Sequence, residues 1–462
     1  MPSDVTVVIL AAGLGTRMRS KRAKVLHHAG GQTLIEHAVD TALSVAPAEN
    51  IYVVVGHQAA EVRAAVAARG VQFIEQTEQK GTAHALLCGE AVIPSRSGQL
   101  VIFYGDCPLI RAETLRTLMD AQTYASRGGT LITTLLDDPH GYGRVVRDAG
   151  GSVQAIVEQK AGTPEQLALR EINAGIYAFE AGLFWRYLHD IRPDNPAREY
   201  YLTDIVGLLN AAGHPVGALV VADSAELLGI NNRVELAAVD RVFRERKVRE
   251  LMLAGVTIEK PETVTVDHGV HIGMDTVIEP FAQVLGQTRI GENCRIGACS
   301  IVRDSSLADH VHIGAFTIVA TSKIGEGAHI GPYARLRLEN EVGAGAHIGN
   351  FVELKKTKLG AGAKANHLAY LGDAAIGDGT NIGAGTITCN YDGVHKHGTT
   401  IGSRAFIGSN STLVAPVVIG DGAYVGAAST ITHGVPADAL AIGRARQVNK
   451  EDWAAQRRKR KG

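Results

Sequence analysis

Residues 278–302 read IEPFAQVLGQTRIGENCRIGACSIV, and an aliphatic side chain returns at every sixth position: Ile278, Val284, Ile290, Ile296 and Val302. The series extends back through Ile272 to Val266. A second run in a new frame holds Ile318, Ile324, Ile330, Leu336, Val342, Ile348 and Leu354, and a third holds Ile401, Ile407, Leu413, Ile419, Val425 and Ile431. Glycine follows the aliphatic residue in many units, as in Ile290-Gly291, Ile296-Gly297, Ile324-Gly325, Ile330-Gly331 and Ile407-Gly408. A six-residue period marks a parallel β-helix, with the aliphatic chain turned inward and permissive backbone at each corner. Amphipathic helices would need a period of about 3.6 and would be penalised by so much glycine. The frame breaks at 303–317 and 389–400 are expected to be loops projecting from the coils, where function is commonly carried.

The rest of the chain follows a different rhythm. With 462 residues it exceeds what one core supports, so at least two domains are expected. From residue 5 to about 230, short β-branched runs (Val5 to Leu10, Tyr52 to Val55, Leu100 to Tyr104, Ile176 to Phe179) alternate with helical stretches, the pattern of an α/β domain with a largely parallel sheet. Ligands bind at the carboxyl ends of such strands. From Asn232, a possible N-cap, Leu236, Val239, Val242 and Phe243 fall on one helical stripe and Gly255 is a stop signal. The expected division is therefore 1–233, a connecting helix over 234–254, and 255–462. A membrane-surface helix is the rival reading, but Glu235, Asp240, Glu245 and Glu250 interrupt the basic face.

Lys and Arg number 46 against 47 Asp and Glu, so no global field is available to hold nucleic acid or an anionic membrane. Met1-Pro2-Ser3-Asp4 runs straight into an apolar strand, and no apolar run approaches membrane-spanning length; a cytoplasmic protein is expected. Cys88, Cys107, Cys294, Cys299 and Cys389 lack CxxC spacing, which fits inert thiols in a reducing compartment.

The first strand leads into Ala11-Ala12-Gly13-Leu14-Gly15-Thr16-Arg17-Met18, with Lys24 seven residues beyond Arg17. Small residues let backbone N–H groups approach phosphate oxygens, and Arg17 and Lys24 can neutralise charge on a reacting triphosphate. The spacing is neither GxGxxG nor GxxxxGK[ST], and a plain strand-to-helix turn is the competing reading. Gly105-Asp106 closes a second strand.

The string from Leu10 to Met18 resembles the opening of the sugar-1-phosphate nucleotidyltransferases. Gln76, Gly81-Thr82, Tyr104-Gly105-Asp106, Gly141-Tyr142-Gly143-Arg144, Glu158, Asn173-Ala174-Gly175, Thr203 and Asn231 continue the match in order. Together with the hexapeptide half, the whole chain is similar to the family of bifunctional N-acetylglucosamine-1-phosphate uridyltransferases and glucosamine-1-phosphate acetyltransferases. That resemblance implies a Rossmann-like, mostly parallel nucleotidyltransferase domain followed by a left-handed parallel β-helix. It implies acetyl transfer from acetyl-CoA to glucosamine-1-phosphate, then uridyl transfer from UTP with release of pyrophosphate, supplying a precursor of peptidoglycan and lipopolysaccharide. By the same likeness Leu10, Ala11, Ala12, Gly13, Gln76, Gly81 and Thr82, with Tyr104 and Gly105, hold the nucleotide. Gly143, Glu158, Asn173 and Thr203 hold the sugar, and Asp106 and Asn231 bind Mg²⁺. The chemistry is sound by itself: Mg²⁺ keeps waters and substrate phosphates, so two protein oxygens suffice, and an anionic sugar phosphate needs no general base. Gln76 and Thr203, taken alone, read as well as ordinary surface residues.

In the second half, amide formation from a thioester needs a base for the amine proton, and His is suited to it. His367 stands in Asn366-His367-Leu368-Ala369-Tyr370, where the six-residue frame falters; a solvated surface histidine is the plain alternative. Residues 349–356 (GNFVELKK) and 381–393 (NIGAGTITCNYDG) match the bifunctional family nearly throughout. The resemblance makes His367 the base, gives Arg337 and Lys355 the sugar phosphate, and gives Tyr370 and Asn381 the sugar. Ala384, Asn390, Tyr391, Ser409, Ala427 and Arg444 line the acetyl-CoA path, and Glu353 orients His367 or the amine. The family commonly continues Arg-Pro-Gly where this chain has Arg337-Leu338-Glu339-Asn340, which puts the placement of Arg337 in question. The basic run Arg457-Arg458-Lys459-Arg460-Lys461 reads as a solvated tail rather than a clamp for coenzyme phosphates. A homotrimer is expected, since acetyltransferases of this kind build their site where neighbouring prisms meet. The alternatives are a single-activity nucleotidyltransferase with a structural or regulatory β-helix, which the joint presence of Lys355, His367, Tyr370 and Asn390 disfavours, and a non-catalytic scaffold, which the set Arg17, Lys24, Asp106 and Asn231 disfavours.

Overall fold

β-Branched runs in the first half pair side by side into one sheet. The computed structural model describes residues 4–94, 97–124 and 127–460; Met1-Pro2-Ser3 and Lys461, both part of the expectations above, lie outside the described residues. Across the sheet the strands run Val216–Val220, Gly129–Leu135, Glu171–Glu180, Gln99–Tyr104, Val5–Leu10, Ile51–Val55 and Gln72–Glu75. Neighbours along this order are parallel except Glu171–Glu180, which runs against the strands on either side of it and against Arg144–Arg147, a third partner off this path. Val5–Leu10 is buried at all six positions, as a strand covered on both faces must be. The strand order reverses there, with Ile51–Val55 on one side and Gln99–Tyr104 on the other, so a crevice opens beyond their carboxyl ends.

A helix spans Arg233–Leu253. Asn232 caps it, its side-chain oxygen accepting from the N–H groups of Val234 (2.9 Å) and Glu235 (3.0 Å). Gly255 at φ +96° ends it, and the Val256 N–H returns to the Leu251 carbonyl at 3.0 Å. Val239 is buried with Met18, Ala29, Leu34, Leu109 and Ile230, and Leu236, Val242 and Phe243 pack on them. The apolar stripe is thus covered by protein rather than offered to lipid. Contacts divide the chain into two compact units, 1–243 and 244–462, a division that falls inside this helix. No helix among the described residues is long and apolar enough to cross a membrane.

The second half is a stack of short parallel strands in three sheets of eleven, ten and nine, each strand pairing with the third one along the chain. This is the hexapeptide β-helix, consistent with the left-handed form. In one sheet the inward residues on successive coils are Ile278, Ile296, Ile313, Ile330, Ile348, Ala365 and Ile382. The coils are therefore 17 or 18 residues long, and the core is one continuous column of aliphatic side chains.

Three expectations need correction. Residues 303–317 are not a projecting loop: the strands Ile301–Arg303, Ser306–Leu307 and His312–Ile313 carry the coil straight through. The frame moves because one corner is a residue shorter, so five positions separate the buried Val302 and Leu307. For the same reason Ile318 is 40% exposed and its neighbour Val319 is the inward residue. Finally, most glycines after the aliphatic position do not supply left-handed backbone. A Cβ on Gly297 would stand 2.6 Å from the Ala315 nitrogen of the next coil, and one on Gly408 would stand 2.5 Å from that of Ala427. They permit coils to touch, while the φ-positive corners fall two residues later, at Cys299, Phe316, Tyr333 and Phe351. The other break is a true loop, 390–398, pinned by an antiparallel bridge between Tyr391 and Lys396.

Candidate active sites

Leu10 and Tyr104 are the last residues of adjacent strands and lie in register. The segments that follow them line a cavity of about 470 Å³ with Arg17, Lys24, Gln76, Gly81, Thr82, Gly143, Glu158, Asn173 and Asn231. Leu10 to Gly13 and Asp106 belong to the same lining. Gly105 supports from behind, packed on Ile35 and Ala11 with its N–H on the Leu10 carbonyl at 3.0 Å. Four polar side chains converge in this lining. The Lys24 ammonium pairs with Asp106 and reaches Asn231 Oδ1 at 3.3 Å, and Arg17 donates to the same Asn231 oxygen at 2.7 Å. A carboxylate and an amide oxygen facing one cation are a donor pair suited to a hard divalent ion, with phosphate and water oxygens completing its shell.

The strand Glu171–Glu180, part of the same lining, carries a bulge, its register with Gly129–Leu135 shifting between Asn173 and Tyr177. The irregularity turns Asn173 and Ala174 toward the cavity. Gly175 makes it possible: its φ is +73°, and a Cβ there would fall 2.3 Å from the Tyr104 ring. Asn173 is fixed by donating to Tyr177 Oη at 2.6 Å and accepting from the Gly175 N–H at 3.1 Å. Burial pushes the Glu158 carboxyl up, against the lowering effect of its bond from Thr203. Thr203 is itself 5% exposed and stands behind Glu158 at 3.3 Å rather than in the cavity lining. Gln76, 4% exposed, is equally far from being a surface residue.

In the β-helix, Arg337, Lys355 and Gly372 are successive rungs, as are Glu353 and Tyr370. Arg337 is the last residue of the strand Arg335–Arg337 and keeps its register with Lys355, even though Leu338 and Glu339 take φ of +61° and +58° at the corner. Asn340 holds that corner from within: it is 1% exposed, and its side chain donates to the Arg337 carbonyl at 3.1 Å and accepts from the Thr357 N–H at 3.1 Å. Lys355, nearly buried, pairs with Asp373 at 2.8 Å, and Asn390 donates to the same carboxylate. The Asp373 hydrogen bond holds the Lys355 pKa above its ordinary value. Burial opposes ionisation of Asp373, but Lys355 and Asn390 together keep its pKa low. The Tyr370 hydroxyl leans over Gly372, where a Cβ would stand 2.5 Å from it.

His367 ends the strand Lys364–His367, and its Nδ1 lies 2.9 Å from Asn350 Oδ1. An amide oxygen only accepts, so Nδ1 carries the proton and Nε2 keeps its lone pair for chemistry. The Glu353 carboxylate is engaged by Arg337 at 2.6 Å, and no hydrogen bond among the described residues joins it to His367. Two positions past the inward residues Ile348, Ala365, Ile382, Ile407 and Val425, which pair in register, stand Asn350, His367, Ala384, Ser409 and Ala427. These five share one edge of the prism, one per coil. Arg444 follows Gly443 at the next level, where Gly426 N–H meets the Ala441 carbonyl at 2.8 Å. Asn381 lies in the column of Lys364 and Phe406, and no hydrogen bond among the described residues joins it to the Lys355 cluster.

The MobA-like NTP transferase domain model matches residues 7–171, and the bacterial transferase hexapeptide model matches 269–304 and 398–433. "Bifunctional protein GlmU" of Solibacter usitatus (strain Ellin6076) is 63% identical over 459 residues, covering 99% of this chain and 98% of the relative. Proteins of the same name from Koribacter versatilis (strain Ellin345) and Anaeromyxobacter sp. (strain Fw109-5) are 50% and 49% identical, covering 98% and 99% of this chain and 97% and 94% of theirs. The chain belongs to the GlmU family. It is therefore a bifunctional enzyme of UDP-N-acetylglucosamine synthesis, pairing a nucleotidyltransferase with a hexapeptide acetyltransferase.

Within this GlmU-family chain, sequence reasoning passed over Asn350, Asp373 and Lys396. The Lys396 ammonium sits beside that of Lys355, and this contact lowers its pKa. Two ammonium groups side by side, one of them paired with Asp373, leave an excess of positive charge, an arrangement that an incoming phosphate relieves. The missing signal was coil length: His367 is 17 residues beyond Asn350, and Asp373 is 18 beyond Lys355.

Proposed function

We propose that the cleft beyond Leu10 and Tyr104 couples UTP to N-acetylglucosamine-1-phosphate, and that the β-helix edge at His367 makes that sugar phosphate from glucosamine-1-phosphate and acetyl-CoA. The observation that carries the first part is the convergence of Arg17, Lys24, Asp106 and Asn231 in a cavity that Glu158 and Asn173 also line. A sugar-phosphate oxygen attacks the α-phosphorus of UTP, and the bond to the β-phosphate breaks to release pyrophosphate. Arg17 and Lys24 meet the charge that develops on the triphosphate. Asp106 and Asn231 would hold Mg²⁺, which supplies further neutralisation and alignment. Gly143, Glu158 and Asn173 receive the sugar, with Thr203 bracing Glu158. Chelating divalent cations should abolish uridyl transfer and leave acetyl transfer intact; equal loss of both in a two-reaction assay counts against this metal assignment.

At the second site His367 Nε2 takes the amine proton as the amine attacks the thioester carbonyl, and the coenzyme leaves as its thiol. Lys355, Lys396 and Arg337 suit the sugar phosphate, and Tyr370 and Asn381 the sugar ring. Ala384, Ser409 and Ala427, with Asn390-Tyr391 and Arg444, suit an extended coenzyme. Incubating the protein with glucosamine-1-phosphate, acetyl-CoA, UTP and Mg²⁺ should yield the mass of UDP-N-acetylglucosamine. A product mass showing uridyl transfer alone would return the β-helix to a structural role.

The assembly we propose is a cytoplasmic homotrimer. Phe316, Tyr333 and Phe351 form an exposed stacked column with ring centroids 5.1 and 5.6 Å apart, and Leu368, 62% exposed, continues it beside His367. An apolar column next to a site supports burial against a second copy there. Light scattering should give three chains per particle, and an active monomer would refute this.

A further inference from the structure

Gln76 is buried in the wall of the nucleotide cavity, yet its amide nitrogen is fully occupied from behind. Nε2 lies 3.1 Å from the Gly81 carbonyl oxygen and 3.1 Å from His84 Nδ1. A carbonyl oxygen can only accept, so the amide must present nitrogen to Gly81, and its second hydrogen then falls to His84. That makes Nδ1 an acceptor and puts the ring proton on Nε2. His84 sits on the helix Thr82–Gly89, which begins one residue after Gly81, so the acceptor pair and the amide belong to one turn of chain. The Tyr200 ring lies 6.4 Å from the imidazole, and the Tyr200 carbonyl accepts from the Ala83 N–H at 3.0 Å in the first turn of that helix.

We infer that His84 is a specificity-positioning residue: together with the Gly81 carbonyl it takes both hydrogens of the Gln76 amide, and without its share the amide is held by one bond and can turn, so that Oε1, the atom left for a ligand, no longer faces the nucleobase as a fixed acceptor. This deepens, and rests on, the reading of the cleft as a uridyl site. An acceptor fixed there asks for a ring N–H. Uracil offers one at N3, whereas cytosine has a lone pair at N3 and meets Oε1 with repulsion. Thymine, which also carries N3–H, is not discriminated by this contact. If the amide could turn freely, it would present N–H to cytosine and the distinction would fade. His84 touches no substrate in this arrangement.

The test is kcat/KM for UTP and for CTP, with N-acetylglucosamine-1-phosphate as acceptor, on the full chain. Wild type should favour UTP by about 100-fold or more, as sites built around a buried hydrogen bond do. His84→Phe, and His84→Leu with less bulk, should cut that ratio roughly tenfold, losing on UTP and gaining on CTP. His84→Asn, whose Oδ1 can stand where Nδ1 stood, should keep the wild-type ratio. A ratio unchanged in both apolar variants, or lost equally in His84→Asn, overturns the inference. Should the apolar variants turn over too slowly to assay, equilibrium binding of UTP against CTP gives the same ratio. Gln76→Ala separates the two levels: its ratio must collapse, and if it survives there, the base lies elsewhere and it is the reading of the cleft that fails.

Discussion

Replacing His367 with Ala is expected to lower acetyl transfer by roughly two to four orders of magnitude, the usual worth of a general base. The imidazole is exposed and held only through Nδ1 by Asn350, so its loss empties no core position. Sugar-phosphate affinity should change little, because Lys355 and Asp373 remain paired. Uridyl transfer from supplied N-acetylglucosamine-1-phosphate should persist at the wild-type rate. A coupled assay following coenzyme thiol release and pyrophosphate release reads both activities in one sample. If uridyl transfer also fell in a folded protein, the sites would be coupled or misassigned.

Asp106→Ala should give the reverse pattern, with uridyl transfer down by roughly two to three orders of magnitude, comparable to removing a principal charge-stabilising group. The carboxylate lies two residues beyond the strand Gln99–Tyr104, in the lining of the cleft, so the substitution takes no side chain out of the sheet. It removes the one full negative charge of the proposed ion site and leaves Lys24 without its partner, so excess Mg²⁺ should not restore the rate. Acetyl transfer should be untouched. Full recovery at high Mg²⁺ would show that Asp106 only adjusts affinity.

How much of this was readable beforehand depends on where each signal lies in the chain. The aliphatic period was legible because alternation about a coil fixes which side chain points inward, and Ile278, Ile296 and Leu354 are buried as expected. Ile318 was misread because Val319 beside it is also aliphatic, and a corner shortened by one residue changes which of the two faces the core. The loop-and-charge grammar of Arg17, Lys24 and Asp106 is local, and those residues do converge. The burial of Gln76 and Thr203 is not local: it depends on Gly81, His84 and Glu158, brought in by folding. Asn350 was quoted within a family motif without a role, since nothing short of the coil length says that it stands under His367.

The edge bearing Asn350, His367, Ala384, Ser409, Ala427 and, at its end, Arg444 has a metrical consequence. Parallel strands stack at a fixed spacing of about 4.8 Å, so this edge is graduated, with one side chain per coil at a constant rise. An acyl carrier laid along it is measured rather than merely enclosed. When its charged head is gripped near Arg444, only a carrier of the right reach delivers its acyl carbon to His367. One shortened by the rise of a single coil would stop beside Ala384 with its thioester out of range, and a longer one would have to buckle. On the proposed placement of the coenzyme, selection on that edge would be by length, and the unit of length would be the coil.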